Sequence, residues 1–138
     1  MNKTTLDTQR FTAEQATVRL PLIERIASDL VEAWSQVNQK RSLLEGHTTI
    51  SLLNELSEAQ LLELQDDLKR LVDRVHACVK ELHELGANVI EFRRGILGFS
   101  GTIEGRPVTL SWMLGEETVE FFHEEHESFD RRREIPAG

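Results

Sequence analysis

A C-terminal segment that begins at Trp112 and ends at Arg132 contains the side chains of this sequence that are best suited to chemistry. Between these two residues lie Glu116, His123 and His126. An imidazole can bind a metal or transfer a proton near neutral pH, and a carboxylate can supply an oxygen ligand. A guanidinium holds carboxylates and other anions through two parallel hydrogen bonds. We therefore expect any functional site to lie in this segment, although no motif in it identifies a reaction.

The two histidines of the segment suggest a divalent-metal site, to which Glu116 would add an oxygen ligand. Imidazole and carboxylate together suit zinc, iron or manganese. However, His123 and His126 are three residues apart, whereas the zinc-protease motif places its histidines four apart on one helical face. On a continuous strand the two would point to opposite faces, so only a turn would bring them together. The structural alternative, which we favour, is that His123 bonds a carboxylate or a carbonyl and His126 is solvated.

Glu116, His123 and Arg132 also form a candidate polar cluster, with Trp112 as its apolar floor. In the structural interpretation, Arg132 pairs bidentately with Glu116 and fixes the C-terminal tail to the rest of the fold. In the functional interpretation, the same arginine holds an anionic ligand and His123 transfers protons. The sequence does not separate these two interpretations.

Composition and charge argue against several classes of protein. The net charge of −8 repels a phosphate backbone, so we expect no nucleic-acid partner. No segment approaches the roughly 20 apolar residues of a membrane span, and the N-terminus lacks the apolar stretch of a signal peptide. The single cysteine, Cys78, allows no intramolecular disulfide and fits a reducing cytoplasm. A chain of 138 residues is expected to form one domain, 1–138.

The N-terminal half is predicted to be helical. A capping box of Thr12 and Gln15 begins a short helix, which Pro21 ends or kinks. An apolar stripe over 23–37 then predicts a long helix that fades at 40–45. The next helix starts either within 50–53 or at a second capping box, formed by Ser57 and Gln60.

The most regular apolar pattern runs from 61 to 85 and alternates steps of three and four residues, as in a coiled-coil seam. Val72 and Val79 widen this stripe, so the helix is expected to touch more than one neighbour, and Gly86 ends it. Two long helices with a short link predict an antiparallel hairpin over 12–86. Apolar surface outside the seam, including Leu62, predicts a homo-oligomer, most simply a symmetric dimer. The seam consists of Leu61, Leu64, Leu68, Leu71, Val75, Cys78, Leu82 and Leu85.

From Ala87 the period changes from helical to alternating, which predicts a sheet over 87–123. A tight turn at Glu104 and Gly105 and a short later corner favour an antiparallel meander. The remaining segment, 124–138, is expected to be a polar tail in which only Phe129 is buried. The fold class is therefore α+β, with a long antiparallel helical hairpin packed on a small antiparallel sheet of about four strands. The candidate strands are 88–92, 95–103, 106–113 and 118–123.

Three segments of the chain resemble the family of uncharacterised prokaryotic proteins known as domain of unknown function 2203. The segments are RFTAEQATVRLPLI, ELGANVIEFRRGILGF and VTLSWMLGEETVEFFHEEHESFDRR. Relatives often have Cys and Asp where this chain has Ser111 and Gly98, so any chemistry of those side chains is missing here. The resemblance implies a fold and the location of a site but no activity. Its motif positions are Trp112, Gly115, Glu116, His123, Phe129 and Arg132.

Two functions are compatible with these features. We favour a small soluble interaction or structural module that lacks enzymatic activity, has no cofactor and forms a homo-oligomer. The alternative is an enzyme or sensor that binds a metal or an anionic ligand around Glu116, His123 and Arg132. Mutual pairing of these side chains under a closed tail favours the first function, and convergence in an open pocket favours the second.

Overall fold

The computed structural model describes residues 10–47 and 57–136, which form two long helices, one short helix and a five-stranded sheet. The long helices pack along each other and on the sheet, which confirms the α+β class predicted from the sequence. The described part of the sheet has one strand more than the four expected. In the described ranges, no helix is both long and apolar enough to cross a membrane.

Helices α1 (Ala13–Val18) and α2 (Leu20–His47) begin the described fold. The Thr12 hydroxyl accepts a hydrogen bond from the Gln15 amide, and the Gln15 side chain accepts one from the Thr12 amide, so the predicted capping box is present. Pro21 lies in the first turn of α2, where its missing amide costs no helical hydrogen bond. The prediction that α2 fades at 40–45 is wrong, because the helix continues to His47.

Helix α3 (Glu58–Glu84) begins at the second predicted capping box, in which Ser57 is the N-cap. The alternative start within 50–53 lies outside the described residues. Ion pairs between α2 and α3 include Arg74 with Asp29 at 3.5 Å and Lys40 with Asp67 at 4.0 Å. As the residue number rises on one helix it falls on the other, so the two helices are antiparallel.

The sheet is a meander whose neighbouring strands are all antiparallel, as the short connections predict. The third strand has the predicted bounds, and the first two begin or end within one residue of them. The five strands are β1 (Ala87–Glu91), β2 (Ile96–Ile103), β3 (Arg106–Met113), β4 (Phe121–His123) and β5 (Arg133–Glu134).

Two predictions for the end of the sheet are wrong. The fourth strand starts at Phe121 and not at 118, because the amide of Val119 donates to the Thr17 hydroxyl of α1 at 3.0 Å and so is unavailable to a neighbouring strand. The segment after β4 is not simply a polar coil. It contains a 3₁₀ turn over Phe129–Arg131 and then β5, which pairs with β4.

The hydrophobic core lies between the helices and one face of the sheet, which we call the inner face. Val72 and Val79, which widen the predicted stripe, are partly buried and pack against this core. The largest buried contributions from α2 are Ile23, Leu30 and Val37, those from α3 are Val75, Cys78 and Leu82, and those from the strands are Leu97, Phe99, Val108, Leu110, Trp112 and Phe122.

The opposite, outer face of the sheet carries the side chains that alternate with this core set. Strand pairing places Thr109 opposite His123 and Ser111 opposite Phe121 on this face. The segment after β4 supplies Phe129, which lies beside His123 and Thr109. One face of the sheet is therefore apolar and covered by helices, whereas the other is mixed and partly covered by the tail.

Phe11 extends the edge of the sheet beyond the first residue of β1. It forms a parallel bridge with Gly101 of β2. Its amide donates to the Ser100 carbonyl at 2.9 Å, and its carbonyl accepts from the Thr102 amide at 3.0 Å. The approach is so close that a Cβ on Gly101 would lie 2.9 Å from the Phe11 carbonyl oxygen and closer still to the Leu110 side chain. Glycine at this position is therefore required by space.

Candidate functional site

Arg132 and Glu116 form a bidentate ion pair, as the structural interpretation of the sequence predicts. One guanidinium nitrogen, Nη1, donates to Oε1 of Glu116 at 3.2 Å, and Nη2 donates to Oε2 at 2.6 Å. The side chains are only 17% and 20% exposed, respectively. Charge-assisted hydrogen bonds in such a partly desolvated setting are stronger than those of a typical surface pair.

Two aromatic rings enclose the guanidinium of this pair. Its central carbon lies 4.1 Å from the ring centroid of Phe121 and 4.2 Å from that of Phe129. Phe121 belongs to β4 and Phe129 to the tail, so Arg132 connects the two through cation–π contacts. The planar guanidinium fits between rings in a way that the ammonium of a lysine does not.

Glu116 also holds the corner between β3 and β4. Its Oε1 accepts a hydrogen bond from the Met113 amide at 2.9 Å, and its backbone carbonyl accepts one from Nε1 of Trp112 at 2.9 Å. Trp112 is fully buried on the inner face, where it belongs to the core. Its indole therefore supports the corner from within, and it is not positioned as the floor of an open binding site.

His123 is 4% exposed, and neither of its ring nitrogens bonds to this ion pair. Its Nδ1 lies 2.8 Å from the backbone carbonyl oxygen of Glu124. Since a carbonyl oxygen only accepts, Nδ1 must carry the proton. The other ring nitrogen, Nε2, is buried and has no hydrogen-bond partner in the described parts of the chain. His123 therefore bonds a carbonyl through Nδ1, as the structural interpretation predicts, while Nε2 remains an acceptor without a donor among the described residues.

The structure does not bring together the three residues considered as metal ligands. His126 is exposed, and both carboxylate oxygens of Glu116 bind Arg132. Within residues 10–47 and 57–136, no group of three or more His, Cys, Asp or Glu side chains is placed to hold a metal ion. The geometry thus gives no support to a site built from His123, His126 and Glu116.

The tail carries a second, more exposed group of charges. Arg106 and Arg133 both contact Oε2 of Glu124, and Arg133 also lies 3.4 Å from Glu127. The hydrogen bond from Arg106 is the main reason that the pKa of Glu124 lies below its usual range. The pKa of Glu127 is also lowered, mainly by the hydrogen bond that it accepts from the Glu124 amide.

Acid should loosen this tail. A carboxylate whose pKa is lower in the folded than in the unfolded protein stabilises the folded state above its unfolded pKa, and the contribution is lost as the pH falls through the folded pKa. Hydrogen exchange at the Arg131 and Ile135 amides, corrected for the intrinsic rate, should accelerate as the pH falls below about 5. The variant Glu124→Gln should lose most of this dependence. An unchanged dependence in that variant would show that Glu124 is not the group responsible.

Cys78 does not offer a nucleophile. It is 5% exposed on the core side of α3, and burial raises the pKa of its thiol. A thiol in this setting is a small apolar side chain, as its position on the predicted seam suggests.

Sequence reasoning identified the Glu116–Arg132 pair but missed the groups around it. Phe121 was not recognised, although the alternation of a strand places it on the same face as His123. The small polar side chains of the outer face were also missed, because Ser and Thr at alternate strand positions are common on any solvent-facing surface. They become notable only because the tail lies beside them, so that they form one wall of a cleft. The cleft is lined by Asn88, Ile90, Gly98, Phe99, Ser100, Thr109, His123, Glu125, Glu127, Ser128 and Phe129.

Comparison with curated proteins and with solved structures gave no match. A family model described as an uncharacterized conserved protein, DUF2203, matches residues 9–135, nearly the whole chain. The matched span contains the two long helices, the five described strands and the Glu116–Arg132 pair. On this match, and as the resemblance of its sequence segments predicts, the chain belongs to the DUF2203 family.

Proposed function

We propose that this protein is a non-enzymatic interaction module that acts as a symmetric homodimer. The observation that carries the proposal is an apolar surface at the end of the helical hairpin where α2 ends and α3 begins. The described part of the fold leaves this surface uncovered. We further propose that the protein is cytoplasmic and has no nucleic-acid partner, which its single buried thiol and its net charge of −8 support.

The uncovered surface lies at one end of the hairpin because the core occupies the other. The buried residues of α3, which include Val75, all lie in its C-terminal half. In its first turns Leu62 is 62% exposed, and near the end of α2 Leu43 is 51% exposed. Since the helices are antiparallel, these two leucines belong to the same end of the hairpin. Full burial of a large apolar side chain stabilises a protein by about 1.5–3 kcal/mol, and a side chain left in water does not gain this stabilisation.

A second copy of the chain could cover this end of the hairpin without any partner of another kind. The seam that runs through Leu61 and Leu64 continues into this region, and both side chains are only partly buried. Antiparallel packing of two hairpin ends, each contributing the same residues, gives the self-complementary contact of a two-fold dimer.

The pairing of Glu116 with Arg132 also supports an interaction module over a ligand-dependent enzyme. Both carboxylate oxygens are bound to the guanidinium, and the guanidinium is enclosed by two rings. An anionic ligand at Arg132 would have to displace Glu116. Mutual pairing is the arrangement expected of a structural corner, and it favours an interaction module over a ligand-dependent enzyme.

Substitution of Leu62 by a charged residue should dissociate the dimer. We expect light scattering with size-exclusion chromatography to give the dimer mass for the wild type at micromolar concentration. Leu62→Glu buries an unpaired charge in the interface and should raise the dimer dissociation constant by roughly thirtyfold or more. Because Leu62 is exposed in the isolated chain, the substitution should not change the helical circular dichroism of the variant.

The matched control is Val18→Glu, at a side chain that is 78% exposed but lies at the end of α1. This variant should remain dimeric. A wild type that is monomeric across the micromolar range, or equal dissociation of both variants, would contradict the proposed interface.

A further inference from the structure

A groove of about 420 Å³ lies between helix α2 and the turn that joins β1 to β2. One wall is a stripe of α2 within 31–42, and the turn contributes Arg93. The volume is within the usual range of small-molecule sites, about 300–1,000 Å³. The groove is therefore large enough to hold a small organic molecule against the side of the helix.

Two contacts hold this turn against α2. The rings of Trp34 on α2 and Phe92 in the turn are stacked, with their centroids 4.7 Å apart and their planes at 30°. At the other end of the turn, a Cβ on Gly95 would lie 3.0 Å from a methyl group of Val31. The chain is thus packed against the helix on both sides of Arg93, and the two walls of the groove are fixed before any ligand binds.

Arg93 is the charged residue of the groove, and its charge has no partner. Its side chain is exposed and forms no hydrogen bond or ion pair with a described residue. The neighbouring Arg94 instead binds both carboxylate oxygens of Glu91, at 2.8 Å and 2.9 Å. The hydrogen bond from Arg94 is the main reason that the pKa of Glu91 is lowered, and the charge of Arg93 contributes least. Glu91 therefore does not neutralise Arg93.

The other polar groups of the groove are uncharged and accessible. Ser35, Asn38 and Gln39 are exposed, and their side chains have no hydrogen-bond partner among the described residues. The indole N–H of Trp34 has no such partner either, and it is not sealed from solvent as Nε2 of His123 is. No described aspartate or glutamate lines the groove, although the sequence contains 24 acidic residues. The groove is therefore rich in donors and free of carboxylates.

This set of groups is suited to an organic anion. A guanidinium binds a planar carboxylate through two parallel hydrogen bonds, and the hydroxyl, amide and indole groups supply further donors. Trp34 and Val31 add apolar surface. The net charge of −8 repels a dianion more than a monoanion. We propose that the groove binds a small monoanionic carboxylate, which pairs with Arg93 and places its apolar part against Trp34 and Val31.

Benzoate is a suitable probe, and benzamide is its neutral analogue of nearly the same shape. The two tryptophans of the full chain give two indole signals in a ¹⁵N spectrum, which the variant Trp34→Phe assigns. Benzoate at millimolar concentration should shift the Trp34 signal saturably. The Trp112 signal should not move, because that ring is buried and donates to the Glu116 carbonyl. Benzamide should bind roughly tenfold more weakly, since it lacks the charge that pairs with Arg93.

Two matched pairs of variants locate the site. Arg93→Ala should weaken benzoate binding roughly tenfold or more. Arg131→Ala removes the same charge from an exposed position outside the groove and should bind benzoate as the wild type does. Asn38→Asp places a carboxylate in the groove with almost no change of shape and should weaken binding to a similar degree. Gln36→Glu adds the same charge to α2 outside the groove and should have little effect.

Any of four results would overturn the proposal. These are the absence of a saturable shift at Trp34, equal affinity for benzoate and benzamide, unchanged binding in Arg93→Ala, and tighter binding of phenyl phosphate than of benzoate. The last result would assign the groove to phosphates. Because one chain forms the whole groove, Leu62→Glu should bind benzoate as the wild type does, so this test is independent of the proposed dimer.

Discussion

Replacing Arg132 with alanine should destabilise the protein by about 2–3 kcal/mol, the range for losing charged hydrogen bonds in a partly buried site. The substitution leaves the Glu116 carboxylate, which is 20% exposed, with the Met113 amide as its remaining partner among the described residues. It also removes the guanidinium from between Phe121 and Phe129. Denaturation by urea, followed by circular dichroism, measures the change in the free energy of unfolding.

The neighbouring arginines are the natural controls, because they carry the same charge in the same tail. Arg131 is exposed, so Arg131→Ala should be nearly neutral. Arg133 pairs with Glu124 and Glu127 at the surface, and its guanidinium carbon lies 5.0 Å from the ring centroid of Phe122. Since its side chain is about half exposed, Arg133→Ala should cost less than about 1 kcal/mol.

Arg132→Lys is the sharper variant, because it retains the charge. A lysine cannot form the bidentate pair or stack between two rings, so most of the loss should remain. Equal tolerance of alanine at the three arginines, or full rescue by lysine, would show that the geometry around Glu116 contributes little to stability.

Adding one methyl group at Gly101 should lower the free energy of unfolding by roughly 2–3 kcal/mol, the upper part of the usual range of about 1–3 kcal/mol for overpacking a well-packed core. A Cβ at this position would meet the Leu110 side chain and would lie 2.9 Å from the Phe11 carbonyl oxygen. Either Phe11 moves away and loses its two backbone hydrogen bonds to β2, or the strand itself shifts. Thermal denaturation of Gly101→Ala should show a decrease of several degrees in the melting temperature.

The control for this variant is Thr102→Val, which replaces a hydroxyl by a methyl group at the adjacent position of the same strand. Its side chain points to the other face, so the change in stability should be small. A double variant with Leu110→Ala tests the clash itself, since making room should render the two effects less than additive. If Gly101→Ala matches the wild type in stability, the close approach of Phe11 is not a constraint on the fold.

Much of the architecture could be predicted because it depends on local chemistry. The capping boxes at Thr12 and Ser57 set where α1 and α3 begin, since each satisfies backbone amides within its own first turn. Gly86 ends the last long helix with a φ of 94°, a conformation that other residues rarely adopt. The change of apolar period after it predicted β3 with its observed bounds.

The sequence predicted less where a segment interacts with a distant one. The fourth strand was predicted three residues too long, because nothing near Val119 indicates that its amide bonds to Thr17 across the fold. The fifth strand has only two residues, too few for a period to be detected, and exists because β4 offers it an edge.

The candidate site shows the same division between local pattern and tertiary contact. The residue types at Glu116, His123 and Arg132 were sufficient to predict a polar cluster, and the resemblance to the family pointed to the same positions. Which of them pair depended on how the tail crosses the sheet. Arg132 pairs with Glu116 and lies between two rings, while Nδ1 of His123 donates to the Glu124 carbonyl.

Sequence alone therefore determined the α+β fold class, the order of the strands and the identity of the polar side chains. Tertiary structure decided that Arg132 pairs with Glu116 and that one nitrogen of His123 has no hydrogen-bond partner among the described residues. The physical reason is that helix caps and apolar periods are settled within a few residues of chain. By contrast, the partner of a charge or a ring nitrogen depends on which distant segments are brought against it.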